Sequence, residues 1–219
     1  MTVHALPDAL GRTFVTTLQG ALEIAAPALG DLDRRAGDGD FGDNVRTAMK
    51  NLGRELEGAE PADYRGWVTA VSRAWLGVGG TSGPLLGMFF RDLAKAADDG
   101  AVPDLAALTA ALAAGQAVIQ KYGEAEVGDR TMVDALAPAV TALQEAGESE
   151  AGPALAAAER AAVEAARGTA ELTARRGRAS YVGDSAQGVM DPGACAMALV
   201  IGALRAAADG GEVDTDWIG

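Results

Sequence analysis

The chain holds a single cysteine, Cys195, which excludes an internal disulfide and fits a reducing compartment, so we expect a cytoplasmic protein. It also holds a single histidine, His4, near the N-terminus, so neither a Ser-His nor a Cys-His relay can be assembled. Aromatic residues are only 5% of the chain, so the core must be built mainly from Ala, Leu and Val, which favours closely packed helices. Basic residues are few: 18 Lys and Arg face 31 Asp and Glu, a net charge of −13. A chain with that balance lacks the basic face that nucleic acid or an anionic membrane requires, and neither is expected as a partner. The longest apolar run, near Ala194–Leu204, falls short of a membrane span, and Met1–Asp8 carries no basic segment or long apolar stretch of a signal peptide. No stretch reads convincingly as a β-strand.

What is present is apolar helical periodicity. Hydrophobic residues are 49% of 219, enough for a large core, and the length allows one domain or two small ones. Apolar residues at Phe14, Leu18, Leu22, Ala25 and Leu29 predict a helix over about 8–29, capped by Asp8. Further helices are predicted over about 42–56, over 61–76 with Pro61 in the first turn, from Leu85 to about Ala97, and from Pro103-Asp104 through Ile119. A sixth carries Met132, Leu136, Val140 and Leu143, and a seventh spans about 154–173. The eighth follows Asp191-Pro192-Gly193 and is apolar nearly all round, so it must be buried. Residues 209–219 read as a loose tail on a single domain of 1–219. The expected fold class is therefore all-α, with about eight helices.

Short connections make consecutive helices antiparallel, so every second connection lies at the same end. Four glycine-rich or charged loops then share one end: Asp33–Asp40, Gly79–Ser82, Gly123–Asp129 and Arg175–Asp191. The connections near Gly58, Gly100 and Gly147 are plain turns at the other. One end is a site and the other is structural.

Two kinds of chemistry are available at the site end. Asp33, Asp38 and Asp40 place three carboxylates within eight residues on a glycine-containing turn, and carboxylate oxygens suit a hard cation such as Mg²⁺ or Ca²⁺. Taken alone, such a turn is more often a solvated acidic loop. It is no EF-hand, since no glutamate closes a 12-residue loop. Gly79-Gly80-Thr81-Ser82-Gly83 opens a helix, where free N–H groups and the positive dipole end attract phosphate. It lacks the Gly-Lys-Ser/Thr of a Walker loop, and a simple helix cap is the alternative reading. Arg178 can neutralise phosphate or remain a solvated charge, and Met132 can pack on a purine or in the core. Asp191 most naturally caps the last helix.

Four motifs, in order, cover nearly the whole chain: Leu32-Asp33…Gly37-Asp38-Gly39-Asp40-Phe41-Gly42…Asn44; Gly79-Gly80-Thr81-Ser82-Gly83-Pro84-Leu85; Gly128-Asp129-Arg130-Thr131-Met132…Asp134; and Gly177-Arg178-Ala179-Ser180-Tyr181…Gly183 with Asp191-Pro192-Gly193-Ala194. Together they resemble the L subunit of dihydroxyacetone kinase, the DhaL-type or DAK2 nucleotide-binding domain. The resemblance implies a closed up-and-down barrel of eight antiparallel helices that binds ADP or ATP through Mg²⁺ at one rim. Residues matching the family's metal ligands are Asp33, Asp38 and Asp40. Nucleotide contacts carry over to Phe41, Gly42, Asn44, Gly80, Thr81, Ser82, Gly123, Thr131, Met132, Arg178, Asp191 and Gly193. Many relatives have histidine where this chain has Phe41, which removes a polar contact near the phosphates, and Asp43 adds negative charge beside it.

The family's triose site, with its covalent histidine, lies on a separate K subunit or domain. The resemblance thus implies a kinase subunit with a K-type partner. Its phosphate source is either exchanging ATP or a permanently bound ADP recharged by a phosphotransferase-system M-type subunit. Other acceptors, such as erythrulose or a fatty acid, stay open, as does a role as a nucleotide-state sensor for a transcription regulator. Monomer and homodimer are both compatible with the sequence.

Overall fold

The three-and-four spacing of apolar residues is realised as eight α-helices, with no strand, among the residues the computed structural model describes: 6–58, 60–147, 149–177, 180 and 187–219. They are α1 (Leu10–Ala36), α2 (Phe41–Glu55), α3 (Tyr64–Leu76), α4 (Ser82–Leu93), α5 (Leu105–Gly123), α6 (Met132–Ala146), α7 (Ala151–Gly168) and α8 (Pro192–Asp209). Each packs against the next in sequence, and α1 also packs against α8, so the succession of neighbours returns to its start.

Alanine is the main reason the helices approach closely. Ala26, Ala48, Ala135, Ala139, Ala158, Ala162, Ala166, Ala194 and Ala203 are fully buried, and the larger residues Phe14, Trp75, Phe89 and Phe90 fill what remains. The α1–α2 crossing is closer still. A Cβ on Gly42 would stand 2.7 Å from the Ala26 carbonyl and 2.8 Å from the Gly30 Cα, so only glycine fits there. α8 is buried on almost every face, as its composition demands. It is nevertheless longer and more apolar than the Ala194–Leu204 run suggested, with a mean hydropathy of 1.3 over 18 residues, long enough to cross a membrane by composition. In this fold 83% of that window is buried by its neighbours instead.

Several boundaries differ from the sequence reading. α1 continues to Ala36, so Asp33 stands on a helix and not on a turn. The apolar residues Leu32 and Ala36 prolong the buried stripe past Leu29, and Arg34 and Arg35 suit the C-terminal dipole. α3 starts at Tyr64, because Asp63 caps it by accepting from Gly66 N–H at 2.8 Å; Pro61 lies outside. α5 starts at Leu105, capped by Asp104. α4 already begins at Ser82, and α7 runs from Ala151 into a 3₁₀ turn over Thr169–Glu171. The tail after Asp209 is not loose throughout. Asp216–Ile218 forms a 3₁₀ turn, Ile218 is buried, and Arg167 lies over the Trp217 ring at 5.7 Å. Arg205 helps to seat it, bonding Glu159 at 2.7 Å and the Glu212 carbonyl.

Candidate functional site

Antiparallel packing places the starts of α2, α4, α6 and α8 at one rim, with the ends of α1 and α5 between them. They surround a cavity of about 440 Å³. Of the residues singled out from sequence, Asp33, Asp38, Asp40, Phe41, Asn44, Gly80, Thr81, Ser82, Gly123, Thr131, Met132, Asp191 and Gly193 all line it. Two do not enter that description. Gly42 stands in the α1–α2 crossing, where its missing side chain serves packing. Arg178 lies outside the described residues.

The acidic corner is built from the end of α1 and the start of α2. Asp33, 9% exposed, accepts the Phe41 N–H at 2.9 Å and so supplies from α1 a bond that α2's own cap residue, Asp40, does not make. Asp38 accepts the Asp40 N–H at 3.2 Å. Burial pushes the Asp33 carboxyl above its ordinary value; the Phe41 N–H opposes this, and the nearby Asp38 carboxyl raises it again. Asp33, Asp38 and Asp40 share this wall, and three carboxylates suit a hard cation in donor chemistry. Among the described residues, though, no three His, Cys, Asp or Glu side chains converge tightly enough to hold a metal alone. A cation here would need further oxygens, which is the habit of Mg²⁺ bound by one or two carboxylates plus phosphates.

Beside that corner is the start of α4. Thr81 precedes the helix, and its side chain makes no capping bond. Pro84 has no N–H, and Gly83 is required because a Cβ would meet the Val78 carbonyl at 2.2 Å. Asn44 Nδ2 reaches Ser82 Oγ at 3.5 Å and links α2 to α4. This helix start therefore presents its dipole and two hydroxyl side chains to the cavity.

The opposite wall is different. Thr131 lines the cavity, but its hydroxyl accepts from Val133 N–H at 3.2 Å while Asp134 accepts from Thr131 N–H at 2.7 Å, a complete capping box. Asp191 caps α8 through Ala194 N–H at 2.7 Å, with Pro192 in the first turn. Desolvation pushes the Asp191 carboxyl up to about 7; Ala194 N–H and Arg130 pull it down, and Asp134 and Asp33 add to the rise. Asp129, also buried, accepts from Glu126 N–H at 3.0 Å and from Arg176 Nε at 3.4 Å, and its carbonyl takes Arg175 N–H at 3.1 Å. It ties residues 175–177 to the α5–α6 loop. Leu85, Ile119, Ala125 and Met132 form the apolar part of the wall.

Sequence reasoning missed Arg130. It lines the cavity, is 2% exposed, and adopts φ +61°. Nothing local distinguishes an arginine after Gly-Asp from a solvated charge. Only its burial between α6 and residue 189 reveals it. Ala36, Gly79, Arg176, Gly177 and Pro192 also line the cavity unannounced, and of these Gly79, Gly177 and Pro192 stand next to a residue that was expected.

The fold and rim together define a helical protein with a cleft lined by carboxylates, hydroxyls and apolar side chains at one end. The chain belongs to the DAK2 domain family, whose model matches residues 35–206. It is 37% identical over 199 residues to the L-erythrulose 1-kinase of Mycolicibacterium smegmatis, covering 88% of this chain and 35% of that protein. It is 37% identical over 182 residues to the ADP-binding subunit DhaL of a PEP-dependent dihydroxyacetone kinase from Listeria innocua, covering 80% of this chain and 84% of that one. Among solved structures it matches the dihydroxyacetone kinase of C. freundii in complex with AMP-PNP and Mg²⁺, with a TM-score of 0.67 and 30% identity, over 92% of this chain and 34% of that one. The chain thus spans about a third of the length of two of these relatives and most of the length of the DhaL subunit.

Proposed function

We propose that the rim cleft holds an adenine nucleotide with Mg²⁺, and that the chain is the nucleotide-binding part of a kinase that phosphorylates dihydroxyacetone presented by a separate K-type subunit. The observation that carries this reading is the division of one cavity into three suitable parts. Asp33, Asp38 and Asp40 offer oxygens for the cation, the start of α4 with Thr81 and Ser82 offers donors for phosphate, and Leu85, Ile119 and Met132 offer an apolar wall for the heterocycle. When bound, the cation neutralises charge on the phosphates as a phosphoryl group moves. The chain's own contribution is positional. Asp33 is fixed by its bond from Phe41 N–H, Ser82 is fixed by Asn44, and the α4 dipole faces the anion. No side chain of the cleft is assigned the role of nucleophile. The likeness to the L. innocua ADP-binding subunit supports a role as one subunit of a multi-component kinase.

Titration calorimetry of ADP with and without a chelator tests this. Tight binding that needs Mg²⁺ and is lost in Asp38→Asn is expected; absence of binding by a chain shown by native mass spectrometry to be nucleotide-free would overturn it. The likeness to the M. smegmatis kinase favours erythrulose as a second acceptor. Phosphorylation assays of the reconstituted complex with both ketoses separate the two.

A further inference from the structure

We propose that Arg130 is a ligand-binding residue whose guanidinium, held in the cavity wall just before α6, takes the anionic phosphate end of the nucleotide. This deepens the nucleotide reading above and rests on it. An arginine that is 2% exposed is rarely left without a carboxylate. Arg130 donates through Nη2 to the Val189 carbonyl, a neutral acceptor, while its Nε has no hydrogen-bond partner. Asp191 acts on it through space, with no direct ion pair between the two among the described residues. A purely structural arginine would explain the Val189 bond. It would not explain an unpartnered donor on a cation that forms part of the cavity wall.

The backbone supports the same conclusion. Arg130 sits at φ +61°, where side-chain-bearing residues are strained. Asp134 accepts both the Gly128 N–H and the Thr131 N–H, at 2.5 and 2.7 Å, and so holds the turn on both sides of the arginine. Such strain persists only where the surroundings enforce it, and here its result is to bring a cation to a cavity otherwise rich in acids: Asp33, Asp38, Asp40 and Asp191. A chain of net charge −13 needs a local cation to hold a polyphosphate.

The test compares ADP with adenosine, which has the base but no phosphate, by calorimetry in the presence of Mg²⁺. Arg130→Asn removes the cation and tolerates the left-handed backbone; Arg130→Lys keeps the charge but loses the planar fork. We expect Arg130→Asn to weaken ADP by about tenfold or more, with adenosine unchanged, and Arg130→Lys to fall between it and wild type. Thermal melts report folding, and if Arg130→Asn does not fold, Arg130→Lys decides. Variants that bind ADP within about twofold of wild type, or that weaken ADP and adenosine equally, would overturn the assignment. A nucleotide-free wild-type chain that binds neither ligand would overturn the nucleotide reading itself and this assignment with it.

Discussion

Two threonines occupy equivalent places at the same rim and are used differently. Thr131 precedes α6 with an extended backbone, accepts a bond from Val133 N–H, and is answered by Asp134 in a capping box. Thr81 precedes α4 with φ −82° and ψ −37° and makes no side-chain cap. The first helix start is satisfied by its own residues. The second leaves its hydroxyl and dipole available, next to the acidic corner. The difference teaches that convergence of helix starts does not by itself make four equal binding sites. On the α6–α8 wall the polar groups hold the fold, and a single buried guanidinium is left over. On the α2–α4 wall they face the cavity.

The largest effect should come from the acidic corner. Asp33→Asn or Asp38→Asn is expected to weaken Mg²⁺-dependent ADP binding by about 100-fold or more, measured by calorimetry. Next is Gly83→Ala, which forces a methyl against the Val78 carbonyl at the base of the α4 start. Chemical denaturation should show a loss of about 2–3 kcal/mol, and the open helix start should be distorted with it. The two threonines then separate by property. Thr131→Ala should cost about 1 kcal/mol of stability through its lost cap, with a small effect on ADP. Thr81→Ala should leave stability within about 0.5 kcal/mol and weaken ADP instead. If both behaved alike in both assays, the contrast between the walls would be broken.

The smallest effect is a pH dependence at Asp191. Its folded carboxyl is raised to about 7 from the model-compound value of 3.8. The folded state therefore holds this proton more tightly than the unfolded state. The stability this contributes is present at low pH and is lost as pH rises from about 4 to 7. Asparagine caps a helix as well as aspartate but does not ionise. The melting temperature of Asp191→Asn relative to wild type should therefore move in the variant's favour between pH 5 and pH 8. A flat difference would contradict the burial of this charge.

Much of the fold was legible because it is periodic. The apolar spacing marked all eight helices, and the loop composition separated the site end from the turns at Gly58, Gly100 and Gly147, each of which has positive φ. Boundaries were less legible where a cap competed with a stronger signal. Pro61 drew α3 outward, although Asp63 makes the bond that starts it. The glycine-rich sequence after Asp33 hid the fact that the buried stripe continues through Leu32 to Ala36. The docked end of the chain was missed because Trp217 and Ile218 are isolated apolar residues with no period. At the site, short-range patterns found the acids and the α4 start. Gly42 does not line the cavity, and a glycine demanded by helix crossing looks, in sequence, like one demanded by a ligand. Arg130 was invisible, since its meaning depends on burial against Val189 and on the field of Asp191, 61 residues away in sequence.

The most direct test of the unequal walls is an amide chemical-shift comparison on the ¹⁵N-labelled chain, with ADP and Mg²⁺ against adenosine alone. The difference between the two spectra isolates the response to phosphate and metal. It should concentrate at Thr81, Ser82 and Gly83, at Phe41 and Gly42, and at Arg130, with small changes at Val133 and Asp134, whose helix start is already capped. Equal changes at the starts of α4 and α6, or larger ones at α6, would contradict it.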